Sequence, residues 1–301
     1  MPRKLRINDL NLDISSVKNL LESAEKYGDF LAKKQYLKKL DKLESQLELI
    51  KNEQPTNASV ALFFDGEPVH GSKGILASFA GNSLDTFQEL INKLFAAREN
   101  GCLGARGAIA HKQNSSLMVT GVAKGSFGFI LDEVSDQFEM TETSLKVTLD
   151  EVLELIEATT LTDEDAFSNA IESIDRRVLQ SLKAFFTTLD KAKSTLRIVG
   201  DKHEYRLNSQ SIRLARKRTE ATSISENEKE TEITILGFLP ESCKFEALDK
   251  SHSLISGTIL KQVAKQLPTG RKKIRVKMLT KTIRPFRKPE KILYKIIEFL
   301  D

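Results

Sequence analysis

Seven apolar residues, Phe167, Ile171, Ile174, Val178, Leu182, Phe185 and Leu189, recur at steps of three or four. That spacing holds them on one side of an α-helix, where 3.6 residues make a turn. A stripe this long cannot face water, so the fold must give it a partner. The N-terminal helix is the intramolecular candidate; a second copy or another protein is the alternative. All seven are therefore candidate interface residues. Thr162-Asp163-Glu164-Asp165 places carboxylates at the positive end of this helix, and Thr148-Leu-Asp-Glu151 has the form of a capping box for another before it.

Two further periodicities organise the rest. Across residues 13–52, Leu20, Ala24, Tyr27 and Leu31 share one helical face. Leu40, Leu43, Leu47 and Ile50 share a second one beyond Lys33-Lys34. The faces are narrow and otherwise polar, which suits a coiled-coil or helical-hairpin stripe. Gln54-Pro55-Thr56-Asn57 then reads as a stop and linker. From Ala58 the pattern changes to strands and turns: an apolar run Ser59–Phe64 ended by Asp65-Gly66, a short strand Ile75–Phe79, a helix capped by Ser83, and a hairpin, Leu117–Ala123 with Phe127–Leu131. Beyond the long stripe, Thr195–Val199 and His203–Leu207 read as a hairpin. A basic helical piece holds Arg213, Arg216, Lys217 and Arg218. Thr222–Thr231 is polar and acidic and reads as a linker.

Strands are expected at Glu232–Leu239, Lys244–Leu248 and Ser253–Ile259, a helix at Leu260–Leu267, and strands again at Lys272–Thr280 and Lys291–Phe299. This strand-strand-strand-helix-strand-strand order is similar to that of an OB-fold, a five-stranded Greek-key barrel. An SH3-like barrel has a compatible length. The expected fold is thus α+β: helical or coiled-coil segments around a small α+β unit, plus a basic C-terminal five-stranded OB-like or SH3-like barrel. The expected divisions are 1–57, 58–140, 141–194, 195–231 and 232–301.

Charge gives this last block its functional interest. Ser251–Asp301 carries thirteen Lys/Arg against three acidic groups, whereas the whole chain is only +4. A local excess of this kind favours polyanions. Ile274, Val276 and Met278 alternate with Lys273, Arg275 and Lys277, so one strand face enters a core while the other is a positive stripe. The following loop adds Arg284, Phe286, Arg287 and Lys288. Cations that track phosphates beside an aromatic ring are the parts of a single-strand binding groove. The same cations also serve as a solvated face that protects strand edges.

Catalytic and metal chemistry find little support. Cys102 and Cys243 form neither a disulfide framework nor a zinc pattern. His70, Cys102, Arg106 and His111 fit no hydrolase signature, and Gly101-x-x-Gly104-x-x-Gly107 is neither a Rossmann nor a P-loop pattern. Asp163, Glu164 and Asp165 lack calcium-loop spacing. No cofactor, metal or catalytic residue is expected. The apolar runs are too short to span a bilayer, and no secretory leader is expected, so a cytoplasmic protein without membrane contact is the reading.

Three functions follow. The first is a non-enzymatic nucleic-acid-associated protein whose barrel contacts single-stranded DNA or RNA, with helical regions holding an oligomer or partner. The second is an adaptor subunit of a bacterial multi-protein assembly without nucleic-acid binding. The third is an enzyme with an unrecognised site in the unit 58–131.

Overall fold

The computed structural model describes residues 1–100, 107, 112–123, 127–135, 141–264 and 273–300. The chain opens with helices α1 (Arg3–Lys26) and α2 (Phe30–Asn52). Gly28 turns between them at φ +69°, a backbone state that glycine adopts without steric cost. Asp29 caps α2 by accepting the Ala32 N–H at 2.9 Å. The two helices fold back into a hairpin whose seam joins Ile7, Leu10, Ile14 and Val17 to Tyr36, Leu40, Leu43 and Leu47. Of the α1 face expected from the sequence only Ala24 is buried; Leu20, Tyr27 and Leu31 are exposed. The seam runs one position out of phase with them, and the helix stops at the glycine turn.

The body contains β1 (Ser59–Gly66), α3 (Ala77–Asn100), β2 (Met118–Ala123), β3 (Phe127–Asp132), α4 (Ser144–Thr160), α5 (Glu164–Ser173), α6 (Arg176–Lys191), β4 (Ser194–Val199), β5 (Glu204–Leu207) and α7 (Ser209–Ala221). Its strands form one sheet in the order β2-β3-β1-β4-β5, with every pair antiparallel. Central β1 is covered on both faces, which is why its sequence is continuously apolar. Val60, Leu62 and Phe64 enter the main core, while Ala61 and Phe63 meet Leu5 of α1 and Val199.

Several local expectations are corrected. No strand forms at Ile75–Phe79; α3 starts at Ala77, and Ser83 is buried within it rather than capping it. Thr143 caps α4, its hydroxyl accepting the Lys146 N–H at 3.0 Å, while Thr148 lies inside the helix. The long stripe is divided between α5 and α6, because Asp175 restarts the helix by accepting the Val178 N–H. Phe167, Ile171, Ile174, Val178, Leu182, Phe185 and Leu189 are each at most 2% exposed, inside the core shared with β1, α3 and α4. They are satisfied within the chain, by partners other than the N-terminal helix, and offer no face to a second molecule.

Arg218 of α7 is fully buried. Its guanidinium donates to the carbonyl of Thr159 in the last turn of α4 and to those of Leu161 and Thr162 just beyond it, pairs with Glu164 at 3.0 Å and lies 5.2 Å from the Phe167 ring centre. Carbonyls left free at a helix C-terminus are thereby satisfied by a cation.

The remaining strands, β6 (Ser223–Leu239), β7 (Lys244–Leu248), β8 (Leu254–Ile259), β9 (Lys273–Arg284) and β10 (Lys291–Phe299), close a five-stranded barrel in the order β10-β8-β7-β6-β9. A short helix, α8 (Lys261–Ala264), follows β8. Strand β10 is antiparallel to β9 and parallel to β8. At that parallel contact a Cβ on Gly257 would stand 2.1 Å from the Tyr294 carbonyl oxygen, so the closure requires glycine. The segment read as a linker, Thr222–Thr231, instead supplies the first half of β6. Ile224 and Ile283 belong to the body's core, whereas Ile233, Phe245, Val276 and Met278 form the barrel's own. The chain is therefore a mixed α/β protein with a closed barrel joined to it by shared packing.

Candidate interaction surfaces

The alternation in β9 holds as expected: Val276 and Met278 are buried, and Lys273, Arg275 and Lys277 point outward together. Strand β6 lies beside them, however, and presents Glu228, Glu230 and Glu232. Lys273 pairs with Glu232 at 3.0 Å, Arg275 with Glu230 at 3.2 Å, and Lys277 with Glu228 at 2.8 Å. The hydrogen bond to Glu228, and then its charge, raises the proton affinity of Lys277; the hydrogen bond from Lys273, and then its charge, lowers that of Glu232. The positive stripe is thus half of a charge ladder.

The loop residues are also engaged. Arg284 pairs with Glu290, and Lys288 reaches Asp165 at 2.6 Å on the first turn of α5. Phe286 packs partly buried against the body's core, and its N–H donates to Thr222 Oγ1 at 3.2 Å. Arg287 lies over the Phe286 ring, 4.8 Å from its centre. Lys291 pairs with Glu172 at 2.6 Å. The acidic remainder of the chain therefore holds much of the basic block internally.

A cleft of about 760 Å³ separates α3, α4 and α5 from the barrel, with Arg98, Glu154, Glu226, Lys281 and Tyr294 on its walls. The Lys281 ammonium donates to the carbonyls of Glu172 (2.7 Å) and Ile174 (2.5 Å) and so closes the end of α5. Burial pulls its pKa down to about 8, against the pull of Glu226 and Asp175. Burial also raises the Glu226 carboxyl, helped by the negative charge of Asp175. These groups are occupied in docking barrel to body.

His70 is exposed in the turn after β1, and Cys102, Arg106 and His111 lie outside the described residues. Gly107 accepts a hydrogen bond from Arg177 at 2.9 Å. His203 stacks on Tyr205 at 5.8 Å. Among the described residues no group of His, Cys, Asp and Glu could hold a metal, and no helix is long and apolar enough to cross a membrane.

The hairpin was underrated by the sequence reading. It is anchored through the first two turns of α1: the Met1 ammonium meets Asp132 at 2.7 Å, Arg3 N–H donates to Asp201 at 2.7 Å, and Asn8 donates to Glu204 at 3.4 Å. With 24 residues, α1 carries the arm about 36 Å, at roughly 1.5 Å per residue. At its tip Tyr27, Phe30 and Leu31 are 80, 85 and 70% exposed, and Leu12, Leu20, Leu37 and Leu49 are exposed along its length. A groove of about 740 Å³ at the other end is lined by Leu10, Leu49 and Ile50 together with Arg6, Asp9, Asp13 and Glu53. The signal available in the sequence was the surplus of apolar residues outside the seam. Compared with known proteins, the chain stands by itself: no protein-family model, no curated protein and no solved structure matches it.

Proposed function

We propose that the chain is a non-enzymatic interaction subunit, an adaptor that engages protein partners through its helical hairpin. The observation behind this reading is the cluster of Tyr27, Phe30 and Leu31 at the end of the arm. Apolar side chains gathered at one exposed place mark an interaction site, and covering each is worth on the order of 1.5–3 kcal/mol. The seam spacing of three and four residues in both helices supports reading the arm as an antiparallel coiled coil. The internal pairing of Lys273, Arg275, Lys277, Arg284 and Lys288 leaves the barrel less charge for a polyanion, which further favours a protein partner.

A photo-crosslinking residue placed at Phe30, and separately at Arg275, tests this in cells. We expect a discrete protein adduct from Phe30 and none from Arg275. A nucleic-acid adduct at Arg275 with nothing from Phe30 would reverse the choice.

A second reading, single-stranded DNA or RNA at the barrel, is favoured by one observation. The strand order, with its parallel closing pair and a helix between the third and fourth strands, supports an OB-like rather than an SH3-like barrel. Arg287 over Phe286 would then supply cation and stacking surface. Salt-sensitive retention of the purified protein on a single-stranded oligonucleotide, with a raised 260/280 nm absorbance ratio before a salt wash, is its signature.

A further inference from the structure

We propose that the partner engaged by the arm is an acidic amphipathic helix of another protein, laid lengthwise on the outer face of α2 from Phe30 to Lys42. The inference rests on the adaptor reading and names the chemistry of the partner within it.

Lys34, Lys38 and Lys42 stand four residues apart, so their side chains form one row along α2. All three are exposed, and none has an ion-pair partner among the described residues. Asp41, three residues beyond Lys38, pairs with none of them. Elsewhere in the hairpin lysines are paired: Lys18 holds Glu44 at 3.3 Å, Lys33 holds Glu25 at 2.9 Å and Lys51 holds Glu48 at 2.8 Å. Like charges four residues apart repel across one turn and weaken the helix that carries them. Carboxylates brought from outside remove that repulsion.

Apolar side chains run beside the row. Phe30 and Leu37 are seven residues apart, two turns of helix, and lie on one flank of Lys34, while Leu31 lies on its other flank. All three are exposed, Leu37 by 46%. The seam residues Tyr36, Leu40, Leu43 and Leu47 fall on the opposite side of α2, toward α1, so the row and its flanks are left facing solvent. From Phe30 to Lys42 the surface is about 18 Å long at roughly 1.5 Å per residue, the length of about three helical turns. A partner helix with apolar residues at three- and four-residue spacing and carboxylates beside them matches both features. Apolar contact holds it there, and the charges set its direction.

The charge of the region gives the sign of the partner. Residues 26–42 carry six lysines against Asp29 and Asp41, a local net of +4, and Asp29 is engaged in capping α2. An anionic bilayer, which also favours lysines beside aromatic side chains, fits this surface less well. Beyond Leu37 the flank that holds Phe30 continues in Asp41, Glu44 and Glu48, all exposed. A sheet of lipid phosphates lying along α2 would meet these carboxylates as well as the lysines. A protein helix carries its own carboxylates only where the lysines are.

A photo-crosslinking residue at Leu37 of the full chain, in cells, tests the inference once the crosslinked segment is sequenced. The expected segment belongs to another protein and has Asp or Glu beside apolar residues at helical spacing. A synthetic peptide of that segment should bind the purified chain. Lys34→Glu/Lys38→Glu/Lys42→Glu should weaken this binding by about tenfold or more, with an unchanged circular dichroism spectrum because the three side chains are exposed. Exchanging the acidic residues of the peptide for lysine should restore affinity for the reversed chain and lower it for the wild type. A neutral or basic segment, a lipid adduct, an adduct to a second copy of this chain, or an affinity indifferent to the reversal overturns the proposal. A protein adduct at Phe30 with none at Leu37 overturns the acidic helix and leaves the adaptor reading intact. Absence of an adduct at both positions removes both.

Discussion

Lys277 of β9 holds Glu228 of β6 at 2.8 Å, although its direct cross-strand neighbour is Glu230. Arg275 and Lys273 likewise reach past the residues they face, and the ladder slants along the barrel. Neutralising its acidic side should expose the cations. A Glu228→Gln/Glu230→Gln/Glu232→Gln variant is expected to gain affinity for a single-stranded oligonucleotide, with a log–log salt slope steeper by roughly 2 for three freed cations. Fluorescence anisotropy across a salt series checks this, and an unchanged slope would show that the ladder does not screen the face.

Removing the Arg218 side chain should be among the most damaging single changes in the body. Arg218→Ala leaves the carbonyls at the C-terminal end of α4 without their donor and Glu164 without its cation. Breaking a buried pair from one side costs about 3–5 kcal/mol. Urea unfolding should show that loss, and Arg218→Lys should recover only part of it, because an ammonium has three donors for four partners and no planar fork to span them.

The pH response of the barrel–body seam has a definite sign. The folded-state pKa of Lys281 is about 8, below its ordinary 10.5. Between these values the unfolded chain binds more protons, so this group makes stability rise with pH through that window. Lys281→Met should abolish that rise. The wild-type minus variant difference in unfolding free energy should grow by ~2–3 kcal/mol between the two ends of the window. Glu226 acts oppositely: its raised pKa gives stability in acid that is lost as pH climbs through the folded value. Glu226→Gln should therefore raise the melting temperature at neutral pH.

Gly257→Ala should strain the barrel closure, since the added carbon meets the Tyr294 backbone. Crowding of this kind costs about 1–3 kcal/mol. Gly237→Ala, where a Cβ would meet nothing within 4 Å, is the matched control and should leave thermal unfolding nearly unchanged.

The elements most readable in the sequence were those whose own residues carry the pattern. Lys244–Leu248 and Lys291–Phe299 form strands within the expected bounds, and Leu43 and Leu47 lie in the hairpin seam. What escaped depends on residues distant in sequence. Residues 222–231 looked like a linker because a strand built from glutamates has no apolar alternation; the cations that stabilise it lie about 45 residues later, as Arg275 does from Glu230. For the same reason the basic stripe was visible but its neutralisation was not. Arg218 read only as one member of a basic helical piece because nothing local reveals that three carbonyls converge on it. The seven-residue stripe was correctly seen as needing cover, but periodicity identifies a face and not what lies across from it.

Strand β6 starts at Ser223, with only buried Thr222 between it and α7, and runs unbroken for 17 residues from the body's core into the barrel's. It is paired with β9 from Ser223 to Thr234. Such a strand acts as a girder and not a joint. Pulling the barrel away would load a long row of backbone hydrogen bonds in shear instead of unfastening them one by one. Cutting the chain at residue 231 would release a sheet with a bare edge along β9, not a smaller working protein.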